Sequence, residues 1–230
     1  MTVIIGIAFF LLTVITYLAA RTLYQRFPFP FTLPLLIATI IIIIILLVFQ
    51  IPYDTYYSGG KWLEYLLGPA VVALAYPLYR QLNLLKRNFV AIIVSVGTGA
   101  VVGILSGILL AKWGGLEQEL ISSLVPKSVT TPVAMDIANT IGGIPPLAAV
   151  LVMVAGVGGV VLAPYVFRCC KIEEELAKGI GTGSAAHAIG TAKALENSEK
   201  EGAASSIAMT LSAIIVSVVG PIIVLFFLNI

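Results

Sequence analysis

Long stretches of this chain carry no charged side chain. Residues 27–53, 88–111, 137–167 and 202–230 contain no Asp, Glu, Lys, Arg or His. A membrane-spanning helix needs about 20 mostly apolar residues, and these runs supply them. Only 10% of the 230 residues are charged, against about 25% in an ordinary soluble domain. A soluble globule of this size could not cover itself with so few charges. Thirteen basic residues set against eleven acidic ones leave no excess of positive charge for nucleic acid. The chain reads as an all-α integral membrane protein, a single polytopic domain over residues 1–230 embedded in a lipid bilayer.

Six spans are expected, at 3–20, 31–51, 65–79, 88–111, 145–167 and 202–230; the third is short and interrupted by Gly68, Pro69 and Pro77. The N-terminal run lacks a basic leader region and a small-residue cleavage site, so it is expected to be a membrane helix and not a cleaved signal. Two further segments, 120–143 and 179–197, are apolar enough to enter a membrane but too polar or too Gly/Pro-broken to face lipid. Broken helices survive there only where protein or a water-filled cavity satisfies their backbone.

The basic residues set the orientation. Arg21 and Arg26, then Arg80, Lys86 and Arg87, place the first and third loops inside and the N-terminus outside. Arg168, Lys171 and Lys178 also fall inside, provided that 120–143 enters the membrane and returns. Segment 179–197 is then re-entrant from the inside. Two opposed re-entrant segments, bringing half-helix ends near the midplane, are a transporter arrangement of the elevator type.

Ionisable residues inside a membrane are functional candidates. In KSVTTP, Ser128, Thr130 and Thr131 are helix-capping types and Pro132 suits a first turn, so a helix is predicted from Thr130 to Ile141. Its free N–H groups, the hydroxyls and Lys127 suit a carboxylate; the alternative is plain capping with Lys127 snorkelling. Asp136, Asn139 and Thr140 share one face, where Asp136 can exchange protons or partner a lysine or a backbone donor. His187, among small residues in GTGSAAHAIGTAKAL with Thr191 at i+4, suits proton coupling or anion binding, or else packs against a carbonyl. Lys193 and Glu196 read as interface anchors and ENSEKEG, 196–202, as a solvated loop. Adjacent Cys169 and Cys170 with one histidine point to no disulfide framework and no metal site. No catalytic set and no cofactor fingerprint is recognisable, so no enzyme activity is expected.

KSVTTPVAMDIANTIGGIPPL and GTGSAAHAIGTAKALE resemble the two signature stretches of the LrgB/CidB family, and GPAVVALAYPLYRQ at 68–81 matches a third. The resemblance covers about 30–228. It implies a cell-membrane protein of the kind first described as holin-like or antiholin-like, linked to control of murein hydrolases and autolysis. Members work with a small membrane partner of the LrgA/CidA type. Relatives in plastids carry glycolate and glycerate, and some bacterial pairs are implicated in pyruvate uptake. The resemblance therefore implies transport of a small monocarboxylate such as pyruvate, lactate, glycolate or glycerate. That agrees with the cationic, hydroxyl-rich helix start; the residues read here as substrate contacts are Lys127, Ser128, Thr130, Thr131, Asn139, His187 and Thr191, with Asp136 and His187 as the proton-coupling candidates. Family members often carry Glu near 136 and Arg near 193, where this chain keeps the charge with Asp136 and Lys193. An oligomer is expected.

Overall fold

The computed structural model describes residues 2–29, 32–66, 69, 72, 75–80 and 82–228. Among them the secondary structure is helical, with no strand. They fall into two compact units, residues 1–71 and 72–230.

The first unit holds α1 (Thr2–Arg26), α2 (Pro34–Val48) and α3 (Tyr53–Glu64). Both α2 and α3 pack on α1. α1 and α3 approach most closely at two glycines, where a Cβ on Gly59 would collide with the Gly6 carbonyl and lie 2.7 Å from Phe10 N. Such small-residue crossings let membrane helices come backbone to backbone. The Tyr56 ring meets Phe9 edge-on at 5.8 Å, and its hydroxyl shares a hydrogen bond with Thr13 Oγ1 at 3.1 Å.

The second unit holds α4 (Ala75–Arg80), α5 (Leu82–Arg87), α6 (Phe89–Trp113), α7 (Gln118–Leu124), α8 (Thr131–Thr140), α9 (Pro145–Cys169), α10 (Glu175–Asn197) and α11 (Glu199–Leu228). α6 buries Ile92, Val96, Ala100, Ile104 and Ile108, one residue per turn, and leaves Val90, Val94, Val102 and Leu110 exposed. That stripe joins Ile207, Val216 and Val224 of α11 in two apolar clusters. An exposed face this apolar is what a lipid-facing helix presents. At its far end α9 leaves Cys169 and Cys170 as exposed free thiols.

Among the described residues four helical stretches are long and apolar enough to cross a membrane: Ile4–Arg26, Phe89–Trp113, Pro145–Cys169 and Glu199–Phe227. The six-span expectation is therefore only partly met. The 31–51 run forms a helix of 15 residues, Pro34–Val48, about 22 Å long against a hydrocarbon core of about 30 Å. It stops because Gln50 turns left-handed (φ 50°) just before Pro52. Of the 65–79 run and the 68–81 signature, residues 67, 68, 70, 71, 73, 74 and 81 lie outside the described residues; what is described there includes the short helix α4. ENSEKEG is not a solvated loop. Glu196 and Asn197 close α10, Ser198 is extended, and Glu199 to Gly202 open α11 with Glu201 and Gly202 buried. Ser198 and Glu201 have the spacing of a capping box. Glu201 N–H donates to Ser198 Oγ at 3.1 Å, while Glu201 Oε1 accepts from Asn197 Nδ2 at 3.0 Å.

Candidate functional site

Segment 120–143 forms two short helices, α7 and α8, joined at Val125–Thr130. It leaves and returns to one place. Gln118 and Glu119 at the start of α7 line a cavity of about 610 Å³ with Thr140, Ile141 and Gly142 at the end of α8. A hydroxyl ties the two arms together: Ser123 Oγ donates to Glu119 O at 2.7 Å and accepts from Ile144 N–H at 2.7 Å. Gly142, at φ 72°, supplies the left-handed turn that ends the second arm. Gly143 lies so close to Ser123 that a Cβ would fall 2.8 Å from its backbone nitrogen.

Thr130 is the N-cap residue of α8, extended at φ −68°, ψ 147°, with Pro132 in the first turn, as the KSVTTP spacing predicts. Its side chain makes no capping bond. Thr130 is 5% exposed and its Oγ1 has no hydrogen-bond partner. Lys127 Nζ donates to Gly103 O on α6 at 2.7 Å. The ammonium occupies the space a side chain on Gly107 would fill, 2.6 Å from that Cβ position. Among the described residues no carboxylate lies within ion-pair distance of Lys127.

Segment 179–197 lies within α10, which is broken at His187 (φ 42°, ψ −129°). The two arms fold back on each other. A Cβ on Gly190 would lie 2.8 Å from Thr182 O, although residues eight apart in a straight helix are about 12 Å apart. Positive φ is costly for a non-glycine residue and persists only where the surroundings hold it. Here the hold is explicit: His187 is 2% exposed, and its Nε2 hydrogen-bonds Val152 O of α9 at 2.9 Å. Gly156 makes room, since its Cβ would fall 2.7 Å from the imidazole Cε1. The first arm packs on α11 through Gly183, whose Cβ would lie 2.8 Å from Ser205 Cα. Thr191 is buried against the same helix, its Oγ1 2.9 Å from Ser205 Oγ.

The two broken segments meet at a cavity of about 550 Å³ between α6 and the first arm of α10. Ser128 comes from one segment, Ser184 and Ala185 from the other, and Ser95, Gly99 and Gly103 from α6; Glu174 also lines it. Lys127 stands beside this cavity, on the Gly103 carbonyl that belongs to its wall. Thr130 and Thr131 follow Ser128 in the chain but are not among the lining residues. His187 and Thr191 point elsewhere, to α9 and α11. Asp136, Asn139 and Thr140 share one exposed face of α8, where Thr140 Oγ1 donates to Asp136 O at 2.8 Å. Asp136 is thus not the buried partner of a lysine. Lys193 pairs with Glu196 at 2.8 Å on the surface. The α6 contribution, Ser95, Gly99 and Gly103, went unrecognised in the sequence because that run reads as uniformly apolar. The signal was there: Ala91, Ser95, Gly99 and Gly103 recur at every fourth residue, the spacing of one helix face.

Long apolar helices and two broken ones framing a cavity define a multi-pass helical membrane protein. The LrgB-like family model matches residues 13–226, and the chain belongs to that family. Uncharacterized protein YxaC of Bacillus subtilis (strain 168) is 47% identical over 223 residues, covering 97% of each chain. Uncharacterized protein YwbG of the same strain is 43% identical over 222 residues, 96% of this chain and 99% of that one. Holin-like protein CidB of Staphylococcus aureus (strain Mu50 / ATCC 700699) is 39% identical over 217 residues, 94% of this chain and 95% of that one. No solved structure matches the chain.

Proposed function

We propose that this protein is a secondary carrier of small monocarboxylates of the pyruvate, lactate, glycolate or glycerate class. The observation that carries the reading is the cavity where the two broken helices meet, with the half-buried ammonium of Lys127 beside it and facing no described carboxylate. An anion would complete the charge that no described carboxylate balances. Lys127 and Ser128, with Thr130 and Thr131 at the N-terminus of α8, hold the carboxylate. His187 and Thr191, whose polar atoms already have protein partners, position the α10 hairpin around it, and Asn139 and Asp136 lie on the outer face of α8. Asp136 remains the candidate for proton exchange, with the N-terminus outside the cell membrane. Transport would proceed by an elevator-like movement of the unit that carries both broken segments, alone or with an LrgA/CidA-like small membrane protein, in an oligomer.

Purified protein in liposomes, with and without that partner, tests this. Saturable exchange of a labelled C2 or C3 acid is expected, and its loss in Lys127→Ala while the protein stays in the membrane. Unchanged exchange in that variant would remove Lys127 from the site. The second reading is a holin-like or antiholin-like role in regulating murein hydrolases, favoured by the name of the Staphylococcus aureus relative. A pore of that kind would leak unrelated solutes from the same liposomes without saturation.

A further inference from the structure

Lys127, beside the cavity between α6 and α10, and the serines that line it form an ordered file; Glu174 lines the same cavity outside that file. Along one face of α6, Gly107 and Gly103 meet the Lys127 ammonium. The Cβ position of Gly103 lies 3.9 Å from Ser128 Oγ, that of Gly99 lies 4.0 Å from Ser184 Cβ, and Ser95 stands one turn further along. Successive members are one turn apart, on the order of 6 Å. A cation stands at one end of the file, followed by three hydroxyls.

Those hydroxyls are uncommitted. Serine and threonine in membrane helices usually bond the carbonyl one turn back, as Thr13, Thr182, Ser206, Thr210 and Ser217 do here. Ser95 and Ser184 could do the same on their own helices and do not. Ser184 Oγ is shielded from solvent without a partner; Ser95 is exposed and Ser128 half-buried, and among the described residues neither hydroxyl makes a hydrogen bond. A hydroxyl left unbonded in apolar surroundings is costly unless a ligand completes it.

We infer that Ser184 is a specificity-determining residue that reads an oxygen on the carbon next to the carboxylate, so that the protein takes 2-hydroxy and 2-oxo acids and rejects plain fatty acids of the same length. This rests on the carrier reading above. With its carboxylate toward Lys127 and Ser128, a C2 or C3 acid presents its second oxygen to the next hydroxyl in the file, Ser184, while Ser95 stands a further turn away, on the order of 6 Å beyond. An acid without that oxygen leaves Ser184 unbonded, and a site built to bond a substrate oxygen discriminates strongly against the analogue lacking it.

The test is counterflow in proteoliposomes with four probes: lactate against propionate, and glycolate against acetate. Wild type is expected to prefer the oxygenated acid of each pair. Ser184→Ala should lower the preference about fivefold, and Ser95→Ala, one turn beyond the reach of the acid, should leave it unchanged. Ser184→Thr, which keeps the hydroxyl, should retain the preference. Ser184→Cys, which keeps the volume with a weak donor, should behave as Ala and so guards against a folding artefact. Propionate carried as well as lactate by wild type, or a ratio unmoved in Ser184→Ala and Ser184→Cys, overturns the inference while leaving a carrier. Absence of saturable exchange with any of the four acids overturns the carrier reading, and the inference with it.

Discussion

Gly183→Ala tests the α10 hairpin most directly. Gly183 faces the backbone of α11, and its added methyl would overlap the Ser205 carbonyl oxygen and sit 2.8 Å from Ser205 Cα and 2.9 Å from its carbonyl carbon. Ordinary contact begins near 3.4 Å, so the first arm of α10 must move away from α11 by several tenths of an ångström. Backbone atoms cannot rotate aside, as a side chain could. Overpacking of this kind costs about 1–3 kcal/mol. At about 2 kcal/mol the midpoint of thermal unfolding falls by roughly 4–8 °C in a chain of this size. The assay is the loss of monodisperse protein on heating in detergent, read by size-exclusion chromatography. Gly97→Ala and Gly158→Ala are matched controls, because nothing lies within 4 Å of either added methyl. They should be neutral or slightly stabilising, since alanine favours helix over glycine by up to about 1 kcal/mol. A Gly183→Ala midpoint within a degree of these controls would refute the close packing of the hairpin on α11.

Three further variants probe other parts of the site. Gly107→Ala puts its methyl 2.6 Å from Lys127 Nζ, the far end of a flexible chain; protein yield should hold while the KM for substrate rises several-fold in liposome exchange. Ser123→Ala leaves the Ile144 N–H without its acceptor; a loss of about 1–3 kcal/mol is expected, seen as faster proteolysis between α8 and α9. His187→Gly relieves the positive φ but removes the anchor on Val152; uptake should fall at least tenfold with little change in thermal midpoint, and retained uptake would strip the imidazole of its positioning role.

Much of the fold is legible because charge-free length is a strong constraint. The runs that became α1, α6, α9 and α11 announce themselves, and Thr130 with Pro132 marks the start of α8 by capping chemistry alone. Other features depend on tertiary surroundings. The apolar residues around Gln50 continue past the helix end, so only the left-handed turn itself shows that α2 is short. Glu201 reads as a solvated acid because ENSEKEG is polar throughout. Its burial follows from α10 folding back, though the S-x-x-E spacing from Ser198 to Glu201 already hinted at a helix start. The density of glycine in 179–197 predicts a break, but not that a histidine would occupy the strained position, since several glycines nearby accept positive φ more readily. What selects His187 is a carbonyl on α9 and the missing side chain of Gly156, both far away in sequence. Polar character alone suggests His187 and Thr191 as companions of Ser128, but they turn to Val152 and Ser205. Folding instead brings Ser95 and Ser184 to that serine.

The paired thiols at the end of α9 have a practical value unrelated to chemistry at the cavity. Cys169 and Cys170 are the chain's only cysteines and both are exposed, so the unmodified protein carries a single reactive point beside the basic turn at Arg168–Lys178. A maleimide unable to cross lipid should leave intact cells untagged and tag everted vesicles. Tagging of intact cells would put that turn on the outer surface and invert the orientation of every span around it.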